Sequence, residues 1–325
     1  MSRTLKQNEQ ILAWAEEGAL TPLQMESLRA LESMSPDRTQ WLTLLERVSL
    51  TAGVLLLSVG VIFFFAWNWA EMHRFAKFGL GLTALTGFTA LGLFARPASA
   101  LFRAALLGCC VTTGAVLALV GQIYQTGADI WQLFAIWALL TLPWAWLSGS
   151  SACWGLSWAV GNLALVSFFA QSQWQGLFAG IPGYLALLVL AVGNGALMLI
   201  FECFGHALLT MPGRAVQRLA CFGMLTALGS GAAGSSWDGA YLPLLFIFVL
   251  MAAVMLVFYH RQRRDLTILA MLLVWLIVCG TSALIRLTIE VGETFLLVNV
   301  VALFVLISSA MAAVWLTRLS REAQA

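Results

Sequence analysis

The sequence has few charged residues for its length. Of its 325 residues, 10% are charged and 61% belong to the apolar set, and the mean hydropathy is +0.90. A typical soluble domain is about a quarter charged and about half apolar. This composition excludes an ordinary soluble enzyme, a disordered chain and a nucleic-acid-binding protein. The composition instead predicts a polytopic membrane protein, whose partner is the lipid bilayer.

The familiar signatures of catalysis and of metal binding are also missing. The chain has no Walker A loop, no HExxH, no GxSxG and no GxGxxG before a helix. Its six cysteines form no CxxC pair and do not cluster with its three histidines, so we expect no metal site, disulfide framework or cofactor. No centre of an apolar run carries Asp, Glu, Lys or Arg, which disfavours an ion-driven transporter. Because the first 46 residues are polar, we expect no cleavable signal peptide there.

What the sequence does contain is a series of long apolar runs. From Val48 onward they recur with lengths of about 17–25 residues, enough to cross about 30 Å of hydrocarbon as helices. They predict an all-α polytopic transmembrane bundle of about ten spans. The predicted spans are 48–69, 75–95, 102–124, 130–148, 152–170, 178–202, 217–234, 241–260, 266–286 and 294–317. The seventh is the least certain to cross, because it is short, glycine-rich and weakly apolar.

The first 46 residues differ from everything that follows. They are polar, and the apolar positions from Ile11 to Leu20 and from Leu23 to Leu31 are spaced for two amphipathic helices. Thr21-Pro22 between them is typical of a helix start. We therefore predict three units: a cytosolic helical hairpin at 1–46, a four-span unit at 47–150 and a six-span unit at 151–325.

Basic residues fall almost entirely on one side of this arrangement. Ten spans place both termini on the same side, together with fourteen of the seventeen lysines and arginines. The positive-inside rule then predicts that both termini are cytoplasmic. The longest internal connection, at about 203–216, is predicted on the same side.

Two polar motifs mark the predicted outer ends of the first and third spans. Asn68 and Trp69 end the first span, Gln122 and Tyr124 end the third, and Asp129 is placed to cap the fourth helix. One hypothesis is that these side chains converge into an outward-facing polar pocket. The alternative is an aromatic belt at the membrane surface with a polar turn and a helix cap.

These motifs, taken together, resemble a known family. The segment Glu-Glu-Gly-Ala-Leu-Thr-Pro-Leu-Gln at 16–24, Asn68-Trp69, and Gln122-Ile123-Tyr124 followed by Gly127-Ala128-Asp129 are similar to the bacterial predicted-membrane-protein family numbered 2157 among the domains of unknown function. The resemblance covers residues 1 to about 150. It implies a bacterial cytoplasmic membrane and a cytosolic N-terminus, but no established activity. It also implies a partner, a smaller membrane-anchored protein with a Gly-Asp-Tyr motif that is encoded nearby.

A local echo links the fifth and sixth spans. Ala-Val-Gly-Asn at 159–162 reappears at 191–194, and Asn299 occupies a similar place in the tenth span. Glycine permits close helix approach, and Asn162, Asn194 and Asn299 can then hydrogen-bond to neighbouring helices. The alternative is that these asparagines line a polar path through the bundle.

Charged residues at span ends suggest two further contacts. Arg286 and Glu290 are four residues apart and are predicted to form an ion pair if the helix continues. Glu202 is predicted to lie at the membrane surface and to face Arg214 or Arg218. A buried Glu202 would instead be a candidate for a proton relay.

Three functions remain open from the sequence. The favoured hypothesis is a non-enzymatic scaffold or sensor subunit that works with a membrane partner. The alternative is a transporter or flippase for a lipid-linked or small apolar solute. The third is an enzyme at the outer face with Asp129, Glu290 or Glu293 as general base, although surface solvation explains these acids more simply.

Overall fold

Ten long α-helices form the part of the chain that the structure, a computed structural model, describes. That part comprises residues 38–68, 73–124, 127, 129–172, 182–210, 213–263, 265–291 and 294–324. The helices are α1 (Arg38–Asn68), α2 (Arg74–Phe94), α3 (Ala100–Tyr124), α4 (Ile130–Ser148), α5 (Ser151–Ser172), α6 (Gly183–Leu208), α7 (Ala215–Gly234), α8 (Leu242–Arg261), α9 (Leu266–Val291) and α10 (Thr294–Gln324). A short 3₁₀ helix, Gly239–Tyr241, precedes α8. The predicted hairpin lies outside the described residues as far as position 37.

The predicted fold class, a polytopic helical bundle, is confirmed. Within the described ranges, α2 to α6 and α8 to α10 give eight segments that are long and apolar enough to cross a membrane. Their outer faces carry large apolar side chains that are strongly exposed, such as Phe246, Leu250 and Leu93. In water such a surface would aggregate, whereas in a bilayer it contacts lipid chains of the same polarity.

Several helices extend past the apolar runs that predict them. The helix α1 begins at Arg38, ten residues before its predicted span, and α10 continues to Gln324. At 31 residues each, these helices are about 46 Å long, which exceeds the hydrocarbon thickness. The connection predicted at about 203–216 is also shorter than expected, because α6 runs to Leu208 and α7 starts at Ala215. Hydropathy predicts the part of a helix that contacts lipid, whereas the helix itself can continue beyond that part.

Two helices are buried by the others. In α3, 67% of the membrane-spanning window is buried, against 0–22% in the other seven of the eight segments. The helix α7 packs against α5, α6, α8 and α9 and contributes Cys221, Leu225 and Leu228 to a shared core. This burial explains why α7 is the least apolar predicted span, since a helix that is shielded from lipid need not be strongly hydrophobic. Its 20 residues still give about 30 Å, the length of a full crossing.

Glycines set how closely these helices approach. A Cβ atom built on Gly229 of α7 would lie 2.3 Å from the Trp275 ring of α9, and one on Gly231 would lie 2.3 Å from Leu244 of α8. In α3, a Cβ on Gly114 would lie 2.2 Å from the Trp137 ring of α4. Each glycine therefore accepts a large side chain from the neighbouring helix, which maximises van der Waals contact where lipid and protein are equally apolar.

The two predicted membrane units are joined by close packing of α4 against α5. Ser157 Oγ donates a hydrogen bond to Thr141 Oγ1 at 2.9 Å, and the Trp131 and Phe168 rings meet at 5.1 Å. The turn between them contains Gly149 in the left-handed region, with φ of 53°. Its carbonyl accepts a hydrogen bond from the Thr210 N–H at 3.0 Å, so the α4–α5 turn touches the α6–α7 connection.

Replacing Gly229 with alanine should destabilise the bundle by about 1–3 kcal/mol, because the added methyl group overlaps the Trp275 ring. Gly87→Ala in α2 is the matched control, since a Cβ at Gly87 meets nothing within 4 Å. That control should be neutral or slightly stabilising through helix propensity. Thermal unfolding of both variants in detergent checks the prediction, and equal effects would contradict it.

Candidate functional site

An ion-pair network joins the end of the bundle where α6 and α8 end and α7 and α9 begin; we call this the charged end. Arg214, which precedes α7, donates a hydrogen bond to Glu202 of α6, so the predicted partner is confirmed. The Tyr259 hydroxyl of α8 donates to the same carboxylate at 2.7 Å. Arg263 Nη1 lies 3.6 Å from the second carboxylate oxygen. The Glu202 side chain is 10% exposed, and these partners compensate its charge, as a buried carboxylate requires.

Asp265 is the second carboxylate of the network and also starts α9. Its side chain is 2% exposed and lies 3.2 Å from Arg218 Nε and 3.3 Å from Arg214 Nε. Its Oδ1 also accepts the N–H of Thr267 at 3.1 Å, which caps the helix. Arg214 therefore bridges the two carboxylates. The network contains three arginines, Arg214, Arg218 and Arg263, and two acidic residues.

A cleft of about 490 Å³ opens beside this network, lined by Glu202, Arg214, Gln217 and Arg263 among others. The Arg263 side chain is 54% exposed, so its guanidinium is available to a ligand. Gln217 is 5% exposed and donates from Nε2 to the Phe201 carbonyl at 3.0 Å. Its Oε1 has no hydrogen-bond partner in the part of the chain that the structure describes. These groups suit an anionic ligand that also carries a hydrogen-bond donor such as a hydroxyl.

A polar cluster lies midway along α5 and α6. Asn194 Nδ2 donates to Asn162 Oδ1 at 2.7 Å, and Asn162 Nδ2 lies 3.3 Å from Asn194 Oδ1. Trp158 Nε1 also donates to Asn194 Oδ1, at 2.6 Å. A Cβ on Gly223 of α7 would lie 2.4 Å from that same oxygen, so α7 closes over the pair. Each amide satisfies the other, as polar groups inside a bilayer require.

A second cavity, of about 240 Å³, adjoins this cluster between α4, α5 and α6. Two tryptophans, Trp154 and Trp158, line it together with Leu197. Leu142 and Gly193 belong to the same lining and are exposed, so the cavity opens sideways toward the bilayer. The indole N–H of Trp154 is buried and, among the described residues, has no hydrogen-bond acceptor.

The predicted outer pocket is only partly described. Asn68 is the last residue of α1, and Trp69 lies outside the described residues. Gln122 and Tyr124 are exposed near the end of α3, and the Tyr124 ring meets Phe78 of α2 at 5.8 Å. The convergence of these side chains stays a prediction.

Asp129 does not cap α4 in the way that the sequence suggests. It occupies the N-cap position, but its side chain makes no cap hydrogen bond to the helix. Its Oδ1 instead accepts a hydrogen bond from Gln171 Nε2 of α5 at 2.5 Å. A hydrogen bond to a charged carboxylate is stronger than one to a neutral acceptor. This contact joins the start of α4 to the end of α5.

The remaining predicted residues lie elsewhere. The guanidinium carbon of Arg286 lies 5.8 Å from the centre of the Trp237 ring, and Glu290 follows it by four residues in α9. Asn299 is exposed on α10, which packs against α9 rather than beside the asparagine pair of α5 and α6. The predicted ion pair of Arg286 with Glu290 stays a prediction.

Sequence analysis missed most of the charged end. The role of Asp265 had a usable signal, because an aspartate directly before an apolar run is typical of an N-cap. Tyr259 and Gln217 lie inside apolar or weakly polar helices, and their contacts with Glu202 and Phe201 depend on how α6, α7 and α8 pack. Linear spacing carries no information on that packing.

Replacing Asp265 with asparagine should destabilise the protein by about 2–3 kcal/mol, because Arg214 and Arg218 lose a buried countercharge while the helix cap is kept. Asp238→Asn is the matched control. Asp238 is exposed and caps the 3₁₀ helix through the Ala240 N–H at 2.9 Å, so its change should stay within about 0.5 kcal/mol. Unfolding in detergent measures both, and a similar loss in the two variants would contradict the ion-pair role.

The asparagine pair should show a coupling energy of about 0.6–1.7 kcal/mol in a double-mutant cycle of Asn162→Ala and Asn194→Ala. The reason is that either single change leaves the other amide without its partner. Additive losses in the cycle would show that the two side chains act independently.

Comparison with known proteins bears on the first four helices. Residues 12–154 match the model of a family described as "Predicted membrane protein (DUF2157)". No curated protein and no solved structure matches the chain. The match runs from before α1 to the start of α5 and confirms the resemblance carried by the hairpin, Asn68-Trp69 and Gln122–Asp129 motifs. Residues 12–154 of this chain are therefore similar to the DUF2157 family of predicted membrane proteins.

Proposed function

We propose that this protein is a non-enzymatic sensor or scaffold subunit of the bacterial cytoplasmic membrane, and that the cleft at its charged end binds an anionic group. The observation that carries the proposal is the excess of guanidinium over carboxylate around a cleft of about 490 Å³. The clustering of arginines on one predicted side supports placing this end, and both termini, in the cytoplasm.

The arrangement suits sensing because the cleft touches contacts that hold several helices together. Arg214 bonds Glu202 of α6 and lies 3.3 Å from Asp265 at the start of α9. An anion that accepts hydrogen bonds from Arg214 or Arg263 therefore competes with Glu202 for the same donors. Ligand occupancy is converted in this way into a change in how α6, α7, α8 and α9 are joined.

A partner belongs to the same proposal. The family resemblance supports a small membrane-anchored protein that carries a Gly-Asp-Tyr motif and is encoded nearby. We propose that the two proteins form a complex in the membrane.

A transporter or flippase is the second candidate, and one observation favours it. The cavity beside Asn162 and Asn194 lies at mid-helix depth, where a crossing substrate would pass. The same two amides satisfy each other, which favours a packing role. Movement of a lipid across a proteoliposome bilayer would support the transport hypothesis. Anion binding alone would not, because a sensor also binds its ligand.

Arg263 is the residue through which anion binding is best tested. We expect glycerol phosphate to raise the unfolding temperature of the detergent-purified protein, and Arg263→Gln to weaken its binding by about tenfold or more, since a charge-assisted hydrogen bond is lost. The variant should fold normally, because Arg263 is 54% exposed and its contact with Glu202 is long, at 3.6 Å.

Arg261→Gln is the matched control, an exposed arginine two residues away that does not line the cleft. It should bind glycerol phosphate as the unmodified protein does. Sodium chloride at equal ionic strength controls for screening. An unchanged unfolding temperature with glycerol phosphate, or equal weakening in the two variants, would overturn the proposed anion site.

A further inference from the structure

The two cavities are neighbours along one face of α6. Asn194, Leu197, Phe201 and Gly205 are three or four residues apart and share that face. Leu197 lines the mid-bundle cavity, while Phe201 and Gly205 line the cleft at the charged end. The step from Leu197 to Glu202 is about 7.5 Å along the helix axis. This distance is short enough for one elongated ligand to reach from the lining of one space to that of the other.

Phe201 and Trp154 bring the linings of the two spaces into contact. Their rings meet edge to face with centroids 5.1 Å apart, and Phe201 is 1% exposed. Phe201 lines the charged cleft, and Trp154 lines the mid-bundle cavity. This ring contact therefore joins a lining residue of one cavity to a lining residue of the other.

The chemistry of the lining changes in order along this path. Arginine donors and the unsatisfied Gln217 Oε1 lie at the charged end. The Trp154 indole N–H, which has no acceptor in the described chain, comes next. Beyond it the lining is largely apolar, with Trp158, Leu142 and Leu197, and it opens sideways where Gly193 is exposed.

We propose that the two cavities together bind one anionic glycerolipid, with its phosphate at the charged end and an acyl chain in the mid-bundle cavity. The inference rests on the proposed anion site and names its ligand. The phosphate accepts hydrogen bonds from Arg263 and Arg214, and a headgroup hydroxyl donates to Gln217 Oε1. An ester carbonyl, which lies between headgroup and chain in such a lipid, accepts from Trp154 Nε1.

The chain cavity has a specific blocking variant. A Cβ on Gly193 meets nothing within 4 Å, so Gly193→Leu places its side chain in the open lining without a backbone clash. Gly87→Leu on α2 is the matched control, because Gly87 is also exposed with open space around its Cβ and lies outside both cavities.

The test compares three probes on the full-length protein in a neutral detergent: dioleoyl phosphatidylglycerol, dioleoyl phosphatidylcholine and glycerol phosphate. We expect phosphatidylglycerol to bind at least about tenfold more tightly than either of the others, measured by native mass spectrometry or by thermal shift. Gly193→Leu should weaken phosphatidylglycerol binding about fivefold or more and leave glycerol phosphate binding unchanged. Gly87→Leu should change neither.

The outcomes separate this inference from the proposed anion site. If glycerol phosphate binds through Arg263 but phosphatidylglycerol binds no more tightly, or binds equally well to Gly193→Leu, the lipid inference is overturned and the anion site stands. If phosphatidylcholine binds as well as phosphatidylglycerol, the headgroup assignment is wrong. If no anionic probe responds to Arg263→Gln, both proposals fall.

Discussion

Inside a bilayer a helix gains nothing by exchanging lipid contacts for equally apolar protein contacts, and this constraint governs the whole molecule. Helices then associate through close packing and through polar groups that need partners. The chain meets the first requirement with glycines opposite large side chains, as in Gly229 against Trp275 and Gly114 against Trp137. It meets the second with the Asn162–Asn194 pair. The two glycines lie on α7 and α3, which are the helices that the others surround.

The same constraint explains where charge is found. A buried ion pair costs desolvation energy that only good geometry and several hydrogen bonds offset. Glu202 and Asp265 are the least exposed carboxylates that form ion pairs in the described chain, and each has two or more donors. Asp265 directly precedes α9 and Glu202 lies in the last two turns of α6, and their partners Arg218 and Arg263 keep about half of their side chains exposed. Neutral amides, which cost less to bury, occupy the middle of α5 and α6.

Span positions follow from sequence because the length of an apolar run is fixed by the thickness of the bilayer. The predicted fourth span has the bounds of α4, Ile130–Ser148, and the third differs from α3 by two residues. Helix ends are less predictable, since Arg38 and Gln324 continue regular helices beyond the region that hydropathy marks. The seventh span looks marginal by composition because its neighbours, rather than lipid, surround it.

The candidate site depends on contacts between residues that are far apart in sequence, and this limits what spacing alone reveals. The pairing of Glu202 with Arg214 is predictable because only a short connection separates them. The contacts of Tyr259 with Glu202 and of Asp265 with Arg218 cross 57 and 47 positions, and they require α6 to α9 to be packed first. The Asn162–Asn194 contact is intermediate in predictability. Its partners are 32 positions apart, but the repeated Gly-Asn motif identifies both of them in the sequence.

These observations connect stability to function at Phe201. Its carbonyl accepts from Gln217, its ring contacts Trp154, and the next residue is Glu202. A ligand that moved the Phe201 ring would therefore act on both the charged end and the asparagine side of α6. Because α7 is packed against α6 through Gly223 and Gln217, such a movement cannot remain within one helix. Close packing gives the bundle its stability, and it also makes α6 the element through which ligand binding at one end would reach the rest of the bundle.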